Sequence, residues 1–564
     1  MASFLLVSIM LSLLLVLFSH LLQRIAAARR RLPPGPCPLP LIGNLLDIGD
    51  LPHRSFARLA ERYGPLMTVR LGAATCVVAS SPATARAVLQ THNASLAGRG
   101  RQDAWHAGGH AENSVFVLPP GRKWRLLRKL GAAHLFSRRK LAELAPLRDE
   151  IVGGLLRRVA ERADHRGGAP VNVGRLALAA NVELLWRSVF STRLDAATLD
   201  VLCDVAREAA VLLGTPNVSD FFPAVAALDL QGLRRRLAEL MKNTYRLVDA
   251  QIDHRMRCRE LRGGRGGEAM DLLDVLLDMS EQEREDGDDE VINRDLMRAL
   301  LTDLFVGGSD STATTVEWAM AELLQNPEIM KTLQQEIKMV LGTRSQVEES
   351  DIGQLPYLQA IVKETLRLHP IVPLRLYEAE RTVEIEGHTI PKGSKVIVNA
   401  WAIHQSVKVW IQPEKFLPKR FITKDIDFAV PMNMERLAMK QHKMNNYVNV
   451  WKPAMLVENE LQEHQRKNQR NFGTSCMPRK INITGLAKPS FSYYTTAKSL
   501  IEQAPTISED ENNGDDNGAT FTQATMERTR RHLEKDLEPW RIIKDMQVKV
   551  EAQTKPTSSA IQSP

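Results

Sequence analysis

Apolar residues recur at steps of three and four over most of Lys123 to Arg259, which predicts amphipathic helices with breaks near Pro170, Pro216 and Pro223. The same spacing predicts one long helix over Val291–Gln325, stopped before Pro327, and two more over Glu328–Gly342 and Tyr357–Leu368. Alternation replaces it at Leu66–Ser80, which reads as a hairpin around Gly72, followed by a short helix over Pro82–Thr91. Thr382–Ile390 and Lys395–Asn399 read as short strands, turned by Gly387 and by Pro391-Lys392-Gly393. Leu261–Gly267 and the acidic Glu281–Glu290 read as surface loops. The expected fold is mainly α with small β-sheets.

Both ends depart from this pattern. Phe4–Leu22 is almost wholly apolar, long enough to cross a bilayer, and Arg24, Arg29, Arg30 and Arg31 follow it. Residues 1–23 are therefore expected to be a transmembrane anchor that leaves the body in the cytosol. A stiff proline-rich hinge is expected over 24–44, and the main domain over 45–428. Residues 429–564 are rich in Asn, Gln, Lys and Met, with helical spacing only at Met526–Val550. They read as an unrelated, largely disordered segment.

The chain has 564 residues, 44% of them hydrophobic, and a net charge of +8. Its basic residues are dispersed rather than interleaved with aromatics, so nucleic-acid binding is not expected. Five cysteines (Cys37, Cys76, Cys203, Cys258 and Cys476) without a C-x-x-C pair argue against both a disulfide framework and a zinc site.

Five motifs stand in series. They are Leu32-Pro33-Pro34-Gly35-Pro36 leading to Pro40-Leu41-Ile42-Gly43-Asn44, then Trp124-Arg125-Leu126-Leu127-Arg128, Gly307-Gly308-Ser309-Asp310-Ser311-Thr312, Glu364-Thr365-Leu366-Arg367 and Pro418-Lys419-Arg420-Phe421. In this order the chain resembles the plant microsomal cytochromes P-450, nearest to the terpenoid and alkaloid hydroxylases that include geraniol hydroxylases. The resemblance implies haem (heme b), electrons from an NADPH-cytochrome P-450 reductase, a lipophilic small-molecule substrate and the endoplasmic reticulum membrane.

It also assigns roles. Gly307 and Gly308 would let the long helix lie against a flat cofactor. Asp310, Ser311 and Thr312 would supply protons and a hydroxyl that bonds back to the helix. Ser311 stands where the family usually has threonine. Trp124 and Arg128, four apart on one helix face, would donate to a haem propionate; an arginine stacked on a tryptophan is the alternative for that pair. Glu364, Arg367 and Arg420 would form a structural charge network. Substrate contacts are expected from Gly98–Leu118, Leu212–Phe222 and Ile371–Leu374.

The family departs from this chain in three places. Tyr377 stands in for an expected arginine in Leu376-Tyr377-Glu378-Ala379, and Ser406-Val407 replaces a common Asp-Pro. No segment after Phe421 matches the family's cysteine loop, F-x-x-G-x-R-x-C-x-G. Phe472-Gly473-Thr474-Ser475-Cys476 is its nearest echo, with the glycine and cysteine misplaced, so Cys476 is expected to be a free surface cysteine. No metal ligand is assigned. Two functions are open: a haem monooxygenase by descent, or a non-catalytic chimera or pseudogene product that lacks the thiolate. As written, the chain is expected to be inactive as a monooxygenase.

Overall fold

The computed structural model describes residues 31–423, apart from 101, 165–170, 262–270, 287–291 and 345–346. The anchor expected at 1–23, the start of the hinge, the segment 429–564 and Cys476 lie outside the described residues. Among the described residues no helix is long and apolar enough to cross a membrane.

The domain is a helical body with two small sheets at one side. The helices used below are α1 (Pro52–Tyr63), α2 (Arg122–His134), α3 (Val173–Phe190), α4 (Ala196–Gly214), α5 (Leu233–Leu261), α6 (Arg294–Gln325) and α7 (Pro356–Leu368). The larger sheet pairs β1 (Leu66–Leu71), β2 (Ala74–Ala79), β6 (Lys395–Asn399) and β3 (Leu374–Glu378) in the order β1-β2-β6-β3. The smaller pairs β4 (Val383–Ile385) with β5 (His388–Ile390). Gly72 turns the first hairpin at φ +56°, and Glu386 and Gly387, at φ +51° and +76°, turn the second.

α6 is the axis. It has no single apolar face, and twenty of its residues are buried, polar ones included, because α3 lies along it while α4, α5 and α7 cover its other sides. Trp186, Phe190 and Phe305 pack their rings at the α3–α6 crossing. The helix begins at Arg294, three residues later than expected, because the Asn293 side chain accepts the Leu296 N–H and caps it there.

Two further expectations are corrected. The acidic stretch expected to be a loop from Glu281 is helical up to Asp286, continuing a helix that starts at Leu272. β3 carried no strand expectation. Its pattern is broken by Arg375, and its register comes from antiparallel pairing with β6, Arg375 opposite Val398 and Tyr377 opposite Val396.

Candidate active site

The glycine pair sits midway along α6. Gly307 is exposed, and a Cβ built on it would lie 2.5 Å from Phe116 Cζ, so the Phe116 ring occupies the space a side chain would take. A Cβ on Gly308 would lie 2.9 Å from Leu185 Cδ1 on α3, which makes this glycine a close helix crossing. The two glycines thus differ: Gly307 opens a face, and Gly308 lets α3 in.

The hydroxyls that follow bond back along the helix. Ser311 Oγ donates to the Gly307 carbonyl at 3.0 Å and Thr312 Oγ1 to the Gly308 carbonyl at 3.4 Å. Asn181 Nδ2, from α3, donates to the Ser309 carbonyl at 3.2 Å and holds this turn against its neighbour. Asp310 is buried. Seven residues on, Glu317 is buried against Gly174, whose missing side chain leaves the carboxylate its place. Burial raises the Glu317 pKa to about 7, with Arg207 opposing and Asp310 adding to the rise.

Trp124 and Arg128 are half-buried on α2. The Trp124 indole N–H donates to the Val115 carbonyl at 3.1 Å, and the Arg128 guanidinium lies 5.7 Å from the Trp124 ring centre.

Two other arginines lie near this site. Arg375 Nε is buried and meets no hydrogen-bond partner in the structure. Arg99 is half-buried and lies 6.0 Å from the Tyr377 ring centre; burial lowers its pKa, against the opposing pull of Tyr377. Neither has a carboxylate partner among the described residues. Arg375 and Tyr377, two apart on β3, share a face of the strand, so both cations lie on that face. Such a pair suits a ligand with carboxylate groups. Tyr377, which stands where the family resemblance implies an arginine, has Arg99 set against its ring. The signal for Arg375 was a lone cation inside an apolar strand.

Glu364, Arg367 and Arg420 come together. Arg367 Nε and Nη2 donate to the two Glu364 oxygens at 2.7 and 2.9 Å, and Arg420 Nε donates to Glu364 Oε1 at 3.0 Å. The remaining Arg367 donors reach the carbonyls of His404, Pro413 and Lys415. Nothing in this network is left over for chemistry.

The expected substrate segments divide. The Asp103 N–H donates to Asp220 Oδ1 at 2.7 Å, and Trp105 packs with Leu212, Leu237 and Met241, so the first two segments form one wall. Leu374 instead packs beside the β1–β2 core.

Haem fits part of this arrangement: an exposed Gly307 with only the Phe116 ring over it, and half-buried cations for its carboxylates. The described cysteines lie in the scaffold: Cys76 is buried in the β1–β2 core and Cys203 in the helical core, where burial raises both thiol pKa values, Cys37 is exposed in the hinge, and Cys258 sits near the end of α5.

Comparison with known proteins agrees with this geometry. The cytochrome P450 family model matches residues 33–435. Geraniol 8-hydroxylase of Catharanthus roseus is 38% identical over 418 residues, covering 73% of this chain and 81% of that protein. Carnosic acid synthase of Rosmarinus officinalis is 40% identical over 410 residues, covering 70% and 78%. Drimenol monooxygenase of Persicaria hydropiper is 38% identical over 417 residues, covering 73% and 81%. This chain belongs to the cytochrome P450 family.

Proposed function

We propose that the domain serves a membrane-anchored haem monooxygenase that hydroxylates a terpenoid-like molecule, using O₂ and electrons from an NADPH-dependent cytochrome P450 reductase. The observation that carries this reading is the turn Gly307–Thr312. There an exposed glycine, a buried carboxylate and two back-bonded hydroxyls meet on one helix. Haem, when bound, supplies the iron at which O₂ is activated.

The chain's own residues do the rest. Gly307 leaves room at the helix face, while Ser311 can exchange its bond to the Gly307 carbonyl for one to a water. Asp310 is placed to hold a proton one residue away, and Glu317 lies further along the same helix. Arg99 and Arg375 would hold the cofactor's carboxylates, with Trp124 and Arg128 nearby in role. The wall of Trp105, Leu212 and Phe116 is apolar and excludes water from a lipophilic guest. The names of the relatives supply the terpenoid class.

Membrane attachment belongs to the same proposal. Phe4–Leu22 would be the anchor. Leu39, Leu41, Leu228 and Leu230 are exposed in support. The β1–β2 turn ties their two segments to one edge, through bonds from Gly72 N to Ile42 O and from Ala73 N to Phe221 O.

A second reading rests on one observation: the sequence contains no family-like cysteine loop. Under it the chain binds no haem and turns nothing over. The absorbance of the reduced full chain with carbon monoxide, together with NADPH-dependent geraniol hydroxylation, separates the two. A thiolate-type Soret band with turnover supports the first reading; no haem and no product support the second. If the band is present, Cys476→Ser identifies whether Cys476 supplies the ligand.

A further inference from the structure

A buried polar chain that the reading above does not use joins three elements. Asp303 on α6 is nearly inaccessible, yet three donors converge on it from one loop. His110 Nε2 lies 3.0 Å from Oδ1, Ser114 Oγ donates at 3.0 and 2.9 Å to the two oxygens, and the Val115 N–H donates to Oδ2 at 2.7 Å. The other ring nitrogen, His110 Nδ1, is 2.6 Å from the Tyr245 hydroxyl on α5. A neutral ring with its proton on Nε2, toward Asp303, accepts the Tyr245 O–H at Nδ1. Trp105 stacks on the histidine, 5.5 Å between ring centres and 18° from parallel.

The loop carries short 3-10 turns over Asp103–Glu112, broken by a kink at its two glycines. Gly108 and Gly109 run at φ +59° and +73°, so it doubles back before His110. What fixes it on α6 is the clamp, and the consequences fall one helical turn away. Asp303 and Gly307 are four residues apart, on one face of α6. Ser114 and Phe116 are two apart in the loop, and the Phe116 N–H donates back to Ser114 Oγ at 3.2 Å. Docking Ser114 on Asp303 therefore sets Phe116 over Gly307, and it places the Val115 carbonyl under the Trp124 indole.

We infer that Asp303, with His110 and Tyr245, is a positioning residue. It sets the register of the 110–116 loop on α6, and through Phe116 it sets the size of the ligand space above Gly307. The inference rests on the proposed function only for what occupies that space; the clamp itself stands on the geometry.

The test uses the full chain in detergent, with Asp303→Asn, which keeps the shape, and Tyr245→Phe as the milder variant should the first fail to fold. Hydrogen exchange reads the amides of residues 103–118 against those of α3 and α6. Tryptophan fluorescence, from Trp105 and Trp124, reads the affinities for geraniol and for a bulkier tricyclic terpenoid, ferruginol. We expect loop exchange at least tenfold faster in Asp303→Asn and severalfold faster in Tyr245→Phe, with α3 and α6 unchanged. We expect the preference between the two probes to shift about tenfold toward the bulkier one. Loop exchange within twofold of wild type in both variants overturns the clamp, and so does exchange that rises equally everywhere. Unchanged probe preference with a loosened loop overturns the role in ligand size. If wild type binds neither probe, the substrate reading fails and the exchange result still decides the clamp.

Discussion

Arg367 and Arg375 are eight residues apart and both reach the interior, yet their surroundings are opposite. Arg367 is fully inaccessible, and its donors meet the two Glu364 oxygens and three backbone carbonyls. Arg375 has a buried Nε with no partner. A buried charge is tolerated when every donor is met, and a buried donor left unmet costs about 1–3 kcal/mol. The first arrangement is therefore scaffold, and the second is the one we propose for a ligand carboxylate. Arg99 is half-buried over Tyr377 without a carboxylate partner among the described residues.

This contrast is open to direct attack. Arg367→Ala strands Glu364 with Arg420 as its remaining side-chain partner, and it is expected to cost about 3–5 kcal/mol of stability. Urea unfolding of the full chain reads this, and a loss below about 1 kcal/mol would remove the distinction. Arg375→Ala and Arg99→Ala are expected to leave apo-protein stability unchanged or raised, while haem affinity falls at least tenfold wherever haem is taken up. A large stability loss in either would make it scaffold as well.

Glu317 gives a prediction in pH. Its folded pKa, about 7, lies above the ordinary 4.5, so the folded state holds its proton more tightly than the unfolded one. Its contribution is present below about pH 4.5 and is lost as pH rises through about 7. Glu317→Gln should flatten that part of the stability profile, and at pH 8 it should be the more stable protein by roughly 1–3 kcal/mol. Parallel profiles would show that the carboxyl titrates normally. The smallest effect is expected for Gly307→Ala. A helical alanine gains up to about 1 kcal/mol over glycine, and only the far end of the Phe116 ring has to move. The thermal midpoint should shift by less than about 3 °C, and a larger fall would mean that the Phe116 ring is held fast.

Local pattern showed the elements whose residues are close in sequence. The long helix ending at Gln325 and the hairpin at Gly72 were legible from spacing, and the charge network of Glu364 and Arg367 from the family resemblance. What escaped it depends on distant partners. Asp303 meets His110 across 193 residues, and no periodicity announces that. The strand at Leu374–Glu378 exists because β6 lies beside it, and its arginine breaks the alternation that would have revealed it. Phe116 was one of many apolar residues in a loop until the structure set it against Gly307.

We propose that the described domain holds haem at its Gly307 side and that the sequence after Phe421 does not supply the family's cysteine loop. Replacing the residues after 428 with a family-like cysteine loop and recording the reduced carbon-monoxide spectrum tests this most directly. The account predicts a thiolate-type Soret band in the chimera that weakens when Arg99 and Arg375 are both changed to alanine. A folded chimera that takes up no haem, or a band indifferent to both arginines, would contradict it.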